Sequence, residues 1–322
     1  MIPAFSELVS TAHSPATDPP LQVWGWEIPV YLFLGGFTAG IMVLSGWALW
    51  KGRKNPRPHT TFALASSRLF LLGLATISLG MLALFLDLGH KLYVWRLYLT
   101  VEPWSPMSWG SWILLLVYPV LAAGVLLDPP KALLRYAPAL RPVVEWMEAK
   151  PLVRHAVGFV SIVTGVALGI YTGILLSALG ARPLWSSGLL GPLFLVSGLS
   201  TAAAFAHGAS PEAEERAQLA RLDNLFLATE LGLIVLMLVG LTTSTGTHAE
   251  AARLLLGGPY TAVFWVGVVG LGIVLPLVVQ SLAVTHRIIH TPIAPVLVML
   301  GGLALRFVIV AAGQYSHWPR LS

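Results

Sequence analysis

Apolar residues run along this chain in eight long blocks separated by short polar stretches. The blocks cover approximately 28–50, 62–86, 108–126, 156–179, 188–206, 222–243, 259–282 and 293–312. Each is close to the roughly 20 residues that an α-helix needs to cross a bilayer. Eight such runs with so little charge between them exclude the alternative, buried core helices of a soluble domain. The pattern predicts an all-α integral membrane protein of eight transmembrane helices packed as helical bundles. It forms one transmembrane domain over residues 1–322, with an outer arm at 1–27 and an outer tail at 313–322.

The polar stretches set an orientation. Lys51, Arg53, Lys54 and Arg57 follow the first block, and Arg68 opens the second. Lys131, Arg135, Arg141, Lys150 and Arg154 follow the third, Arg216 and Arg221 the fifth, and Arg287 the seventh. These are 13 of the 19 basic residues, and alternation puts them all on one side. By the positive-inside rule that side is cytoplasmic, so both termini face outward. One loop, "DPPKALLRYAPALRPVVEWMEAKPLVRH", reads as a short amphipathic surface piece, since its prolines argue against a ninth span. Another, "HGASPEAEERAQLARLDN", has Ser210-Pro211 ahead of acids. That is a helix-start signal and extends the sixth span beyond the membrane.

Composition narrows the chemistry. The chain is 56% hydrophobic and 10% charged, with a mean hydropathy of +0.79, where soluble domains carry about 25% charged residues. Met1–Pro20 lacks the basic start and apolar core of a signal peptide and reads as an extramembrane arm. The net charge of +5 reflects topology and does not imply a nucleic-acid partner. There is no cysteine, which excludes disulfides, Cys-ligated iron–sulfur clusters and covalently attached haem within this chain. The nine histidines lie in the arm, in loops or at span ends, which argues against a bis-histidine haem. His286 and His290 are spaced as a metal pair but have no acidic or cysteine companion, so no metal site is assigned.

Sorted by side, the unusual residues gather at the outer end. Glu27 stands at the mouth of the first span. Asp87, His90 and Lys91 close the second, and Trp104, Trp109 and Trp112 open the third. Tyr171 lies about two turns inside the fourth span, and Arg182 follows it. Each has a plain alternative: Glu27 a hydrated interfacial acid, Asp87, His90 and Lys91 a solvated loop, the tryptophans an aromatic belt, Tyr171 a packing tyrosine. Arg306 is harder to set aside. It lies eight residues before Gln314, about 12 Å along a helix, and an arginine within a span costs about 2.5–3.5 kcal/mol on insertion scales. It faces an intramembrane carboxylate or a functional cavity. Asp223 and Glu230, seven apart on one face of the sixth span, line a proton route or make helix–helix hydrogen bonds.

Several stretches taken together are familiar: "YLFLGGFTAG" (Tyr31–Gly40), "DLGHK" (Asp87–Lys91), "PWSPMSWGSW", "YTG" followed by "ARPLW" and "LFLVSGLSTA", and "LRFVIVAAGQ". In this order and spacing they resemble the NrfD-type, polysulfide-reductase-like family across all eight spans. The resemblance implies a haem-free membrane subunit that exchanges electrons with menaquinone or ubiquinone. It also implies a partner bearing [4Fe–4S] clusters, attached to a molybdenum enzyme or a multihaem cytochrome. The family's quinone site lies near the outer face. The tyrosine matching Tyr171 contacts the quinone head, and the acid matching Asp87 lies on a proposed proton path. One branch carries a quinone-contacting histidine near the position where Tyr31 falls here. A phenol titrates near pH 10 rather than about 6.5, which shifts proton handling toward Glu27, one turn away on the same helix face.

The expected site follows. Tyr31, Tyr171, His90 and Gly36 bind a quinone; Gly35, Gly36 and Gly40 also allow close helix approach. Glu27, Asp87, Arg306, Asp223 and Glu230 handle protons, and Lys91, Trp104 and Arg182 dock the partner. The rival classes are a secondary transporter, for which Pro29, Pro119, Pro192 and Pro276 would break helices, and a purely structural membrane anchor. Clustering of the polar groups at one face, rather than at the midplane, favours the quinone-reactive subunit.

Overall fold

The computed structural model describes residues 24–52, 64–210, 212–285 and 292–316. Among them are helices and turns but no strand. The eight expected spans appear as α1 (Glu27–Trp50), α2 (Ser67–Asp87), α4 (Pro106–Leu126), α7 (Pro151–Ser177), α8 (Leu190–Ala209), α9 (Ala213–Thr243), a helix running from Val263 to Val284, and α12 (Ile293–Tyr315). The loop between α2 and α4 carries a short helix, α3 (Arg96–Leu99), and the loop between α4 and α7 carries α5 (Lys131–Tyr136) and α6 (Arg141–Glu148). His286 and His290 lie outside the described residues, as do the arm before Trp24 and the tail after Ser316.

The spans sort into two four-helix groups. Helices α1, α2, α4 and α7 pack together, and α8, α9, the Val263–Val284 helix and α12 form the second group. The seam is made by α1 and α7 against α8, with α12 touching α1. Burial tracks this arrangement: 78% of the apolar window of α1 and 72% of that of α8 are buried, against 39% for α2 and 33% for α9. Inner helices need small residues where backbones meet. A Cβ added at Gly198 of α8 would strike the Gly36 carbonyl of α1, and one at Gly40 would strike the Gly198 carbonyl. This is the small-residue crossing that lets helices associate where lipid offers no hydrophobic drive.

Local chemistry fixes the ends. Ser66 caps α2, its hydroxyl accepting from Arg68 N at 3.2 Å. Pro106 and Pro151 open α4 and α7 at positions where the missing N–H costs nothing. Ahead of α9, the Ser210 hydroxyl donates to Glu215 at 2.6 Å, and the other Glu215 oxygen accepts from Leu64 N at 3.2 Å. That fixes α9 to the segment ahead of α2. The helix then runs 31 residues, well beyond a membrane span, as the sequence anticipates.

Two features were not anticipated. The connection after α9 holds a further helix, α10 (Gly246–Leu256), with Ala251, Ala252 and Leu255 buried. The seventh span is π-helical over Val263–Val274 and returns to α-helix as α11 (Leu275–Val284). The return falls at Pro276, which has no N–H to give, so the register changes where one bond is already missing.

Both described termini lie at one end of the bundle, the terminal end. Gln314 of α12 and Trp24 ahead of α1 exchange two bonds of 3.0 Å each there, side-chain amide to backbone. The opposite, basic end carries Trp50, the α5–α6 loop and the starts of α7 and α9.

Candidate functional site

The terminal end holds two neighbouring sets of groups. The first is phenolic. Tyr31 of α1 and Tyr171 of α7 are buried, at 3% and 5% exposure, and each lies within electrostatic reach of the other, with Tyr98 of α3 joining them. The Tyr171 ring lies directly over Gly110 of α4, where a Cβ would overlap its hydroxyl end. The Tyr31 ring lies beside Gly80 of α2, 3.7 Å from where a Cβ would stand. Gly110 thus makes room for the Tyr171 phenol, while the Tyr31 ring packs at ordinary contact distance beside Gly80, where α1, α2, α4 and α7 meet. Tyr98 lies outside the spans, and burial followed by the nearby Tyr118 pushes its phenol above the ordinary value. Tyr98 falls within the outer loop, but nothing in its sequence context separates it from neighbouring aromatics.

The second set is carboxylic. Glu27, in the first turn of α1, and Asp87, the last residue of α2, are half-buried and within electrostatic reach of each other. Glu27 shares a helix face with Tyr31, one turn away, so the acids stand at the mouth of the phenolic cluster.

The remaining sequence candidates are placed differently. His90 is exposed in the loop after α2, its ring 6.4 Å from that of Tyr93. Lys91 and Trp104 are exposed at the same end, Trp104 at 89%. Arg182 is buried, and its Nη1 donates to the Ser316 carbonyl at 3.0 Å, holding the end of α12. Burial also lowers its pKa from the ordinary value. Gly36 points away from the phenols: it lies on the seam, where a Cβ would come 3.1 Å from an Arg306 Nη.

Deeper in the bundle is a separate polar file, built mainly by the second helix group. Arg306 is 1% exposed. Its Nη1 donates to the Ser197 hydroxyl and to the Gly302 carbonyl at 3.0 Å, and its Nη2 donates to the Phe194 carbonyl at 3.0 Å. The guanidinium also lies over the Phe194 ring at 4.9 Å, a cation–π contact. Ser197 is hydrogen-bonded in turn to Glu230, which interacts electrostatically with Arg306. The carboxylate partner expected for Arg306 is therefore Glu230, reached through a serine. Two turns along α9, Asp223 accepts from Ser200 at 2.6 Å and from Gln280 Nε2 at 2.7 Å. Ser197, Ser200 and Gln280 do not stand out in the sequence, because a neutral polar residue in an apolar block carries no charge signal.

These observations define a multi-pass α-helical membrane protein with a phenol–carboxylate cluster at one end and a buried polar file behind it. The chain belongs to the NrfD family: the family model described as "Polysulphide reductase, NrfD" matches residues 13–316. It is 32% identical to a polysulfide reductase chain of Wolinella succinogenes over 91% of this chain and 94% of that one. It is 30% identical to protein NrfD of Escherichia coli, over 91% and 96%. A tetrathionate reductase subunit of Salmonella typhimurium is 27% identical over 87% of this chain and 75% of its own length.

Proposed function

We propose that this chain is the haem-free, quinone-reactive membrane subunit of a respiratory reductase complex. It exchanges electrons between a membrane quinone, menaquinone or ubiquinone, and an iron–sulfur partner subunit docked at the terminal end. That partner connects to a molybdenum or multihaem catalytic subunit. The terminal end faces the periplasm. Family membership supports the class of complex, since relatives carry the names of polysulfide and tetrathionate reductase components. The observation that carries the site is the convergence of Tyr31, Tyr98 and Tyr171 beside Glu27 and Asp87.

The donor set fits a quinone head group. A flat ring with two carbonyl oxygens calls for hydrogen-bond donors and a nearby acid, and two phenols, one of them lying over Gly110, supply the donors. Bound quinone supplies the two-electron chemistry. In this reading Tyr31 and Tyr171 donate hydrogen bonds to the carbonyl oxygens and fix the ring. Glu27 and Asp87 hold or release the protons that accompany the electrons, with water reaching them from the mouth. Lys91 and Trp104, exposed on the adjoining loop, belong to the docking face. Asp223, Glu230 and Arg306 offer a second proton store, reached from the basic end.

The test uses the assembled complex. Tyr171→Phe removes one hydroxyl and little volume. A neutral hydrogen bond contributes about 0.5–1.5 kcal/mol net, so quinone affinity should fall roughly two- to twelvefold with assembly intact. Glu27→Gln keeps the shape and removes the titrating group, so quinol-coupled turnover should fall more than affinity does. Wild-type values for both variants in both measurements would remove this cluster from the reaction.

A further inference from the structure

The segment between α4 and α7 is longer than the connection it makes. Those two spans pack against each other, and antiparallel neighbours are usually joined by about 2–8 residues. Here residues 127–150 intervene, and they fold into α5, a 3₁₀ turn (Pro138–Leu140) and α6. Both ends of the segment are held at the basic end of the bundle. Lys131 comes five residues after Leu126 ends α4, and Pro151 begins α7 three residues after α6 ends. The segment therefore runs close to the membrane boundary.

The side-chain pattern of α6 shows what it meets there. At about 100° per residue, Trp146, Val143, Met147 and Val144 form one continuous apolar arc, and Arg141, Glu145 and Glu148 form the opposite one. Only half of the apolar arc is covered by protein: Val144 and Met147 are buried, whereas Val143 and Trp146 are 44% and 53% exposed. Tyr136 and Leu152, on either side of α6, are 84% and 78% exposed. A helix that spends half its apolar arc on the bundle and leaves the other half bare, with a fully polar back, matches an in-plane interfacial helix.

Two further observations name the solvent of that bare half. The Lys150 ammonium lies over the Trp146 ring at 4.5 Å, and Lys51 lies over Trp50 at 5.4 Å. Trp50 ends α1, and its carbonyl pairs with His155 Nδ1 of α7 at 2.7 Å, so the two Trp–Lys pairs occupy the same end of the bundle. Indole at the acyl boundary with a lysine reaching to the headgroups is the arrangement of a membrane interface. Charge agrees. Both acids of α6 lie on the polar back, while Lys131, Arg135 and Lys150 are exposed outside it.

We infer that α5 and α6 form an anchor lying in the leaflet at the basic end, with Val143 and Trp146 among the acyl chains and Lys131, Arg135 and Lys150 binding the phosphates of anionic phospholipids. The anchor rests on the membrane-spanning fold and is independent of the quinone site.

The test exploits the absence of cysteine. Val143→Cys and Glu145→Cys, each carrying a nitroxide, are placed in the full chain in phosphatidylethanolamine–phosphatidylglycerol nanodiscs. The label at 143 should relax more with oxygen than with a water-soluble nickel complex, and the label at 145 the reverse. Equal, water-like accessibility at both positions would overturn the interfacial placement. Lipid identity is tested by native mass spectrometry of the full chain offered phosphatidylglycerol or phosphatidylcholine. Wild type should retain phosphatidylglycerol preferentially, and the triple variant Lys131→Gln, Arg135→Gln, Lys150→Gln should retain several-fold less. Equal retention of both lipids, or no change in the variant, would overturn the anionic-headgroup assignment.

Discussion

Replacing Arg306 with methionine tests the buried file directly. The side chain is 1% exposed and donates to Ser197, Gly302 and Phe194. The two carbonyls are helix backbone acceptors that keep their i+4 partners, so their loss is small. The weight falls on Ser197 and, through it, on Glu230. Removing one member of a buried ion pair costs about 3–5 kcal/mol, because the other charge is left uncompensated. Ser197 stands between Arg306 and Glu230, so Arg306→Met should destabilise the chain by less than a direct pair would, about 1–3 kcal/mol, the cost of leaving a buried polar group unsatisfied. Glu230→Gln in the same background removes the stranded charge and leaves an amide that still accepts from Ser197. The double variant should recover about 0.5–3 kcal/mol relative to additivity, the range seen for residues of one network. The measurement is a double-mutant cycle by denaturant titration of the detergent-solubilised chain, followed by circular dichroism. Additivity within roughly 0.5 kcal/mol would show that Arg306 and Glu230 act independently, and would refute the file as a coupled unit.

Three other outcomes are expected. A reporter fused after Ser322 should be active only in the periplasm, because 13 of 19 basic residues fall on the opposite side; cytoplasmic activity would invert the topology. The purified chain, stripped of partners, should show no Soret band, given its lack of cysteine and the sequence positions of its histidines, between spans or at their ends; a band that stays with the chain would refute this. Gly110→Ala places a methyl against the hydroxyl end of Tyr171, so it should weaken quinone binding as Tyr171→Phe does, at about 1–3 kcal/mol in stability; unchanged affinity would detach Tyr171 from the head group.

What the sequence reveals and what it hides follow from one physical asymmetry. The eight spans are legible because the bilayer demands about 20 apolar residues each time, and α1 and α9 begin where Glu27 and the Ser210–Glu215 stretch suggest. Asp223, Glu230 and Arg306 stand out because charge inside a span is expensive. Ser197, Ser200 and Gln280 do not: their hydroxyls and amide barely alter hydropathy, and their importance depends on which helix faces which. The same holds for the π-helical stretch at Val263–Val274, whose sequence is as apolar as any α-helical span. The placement of Arg182 is also a tertiary fact. From sequence it is a basic residue in an outer loop, whereas in the fold it is buried against Ser316.

Helix α1 links the two polar regions, and its geometry limits how they communicate. Tyr31 and Gly36 are five residues apart, about 7.5 Å along the axis and near opposite faces of the helix. The Tyr31 face meets α2 at Gly80, while the Gly36 face meets Gly198 and the Arg306 guanidinium. Leu32, next to Tyr31, is 1% exposed, and Phe194, whose ring lies against the Arg306 guanidinium, is 0% exposed. On the proposed reading, Glu27 and Asp87 stand at the mouth of the phenolic cluster and exchange protons with the terminal side. The Asp223–Glu230–Arg306 file starts from Arg306 at the Gly36 face and runs toward the basic end. Protons handled by the first pair stay on one side of the membrane, whereas protons drawn through the second would cross it. On that reading the choice between electroneutral and charge-moving turnover is the choice between these two sets of acids, which meet α1 on different faces.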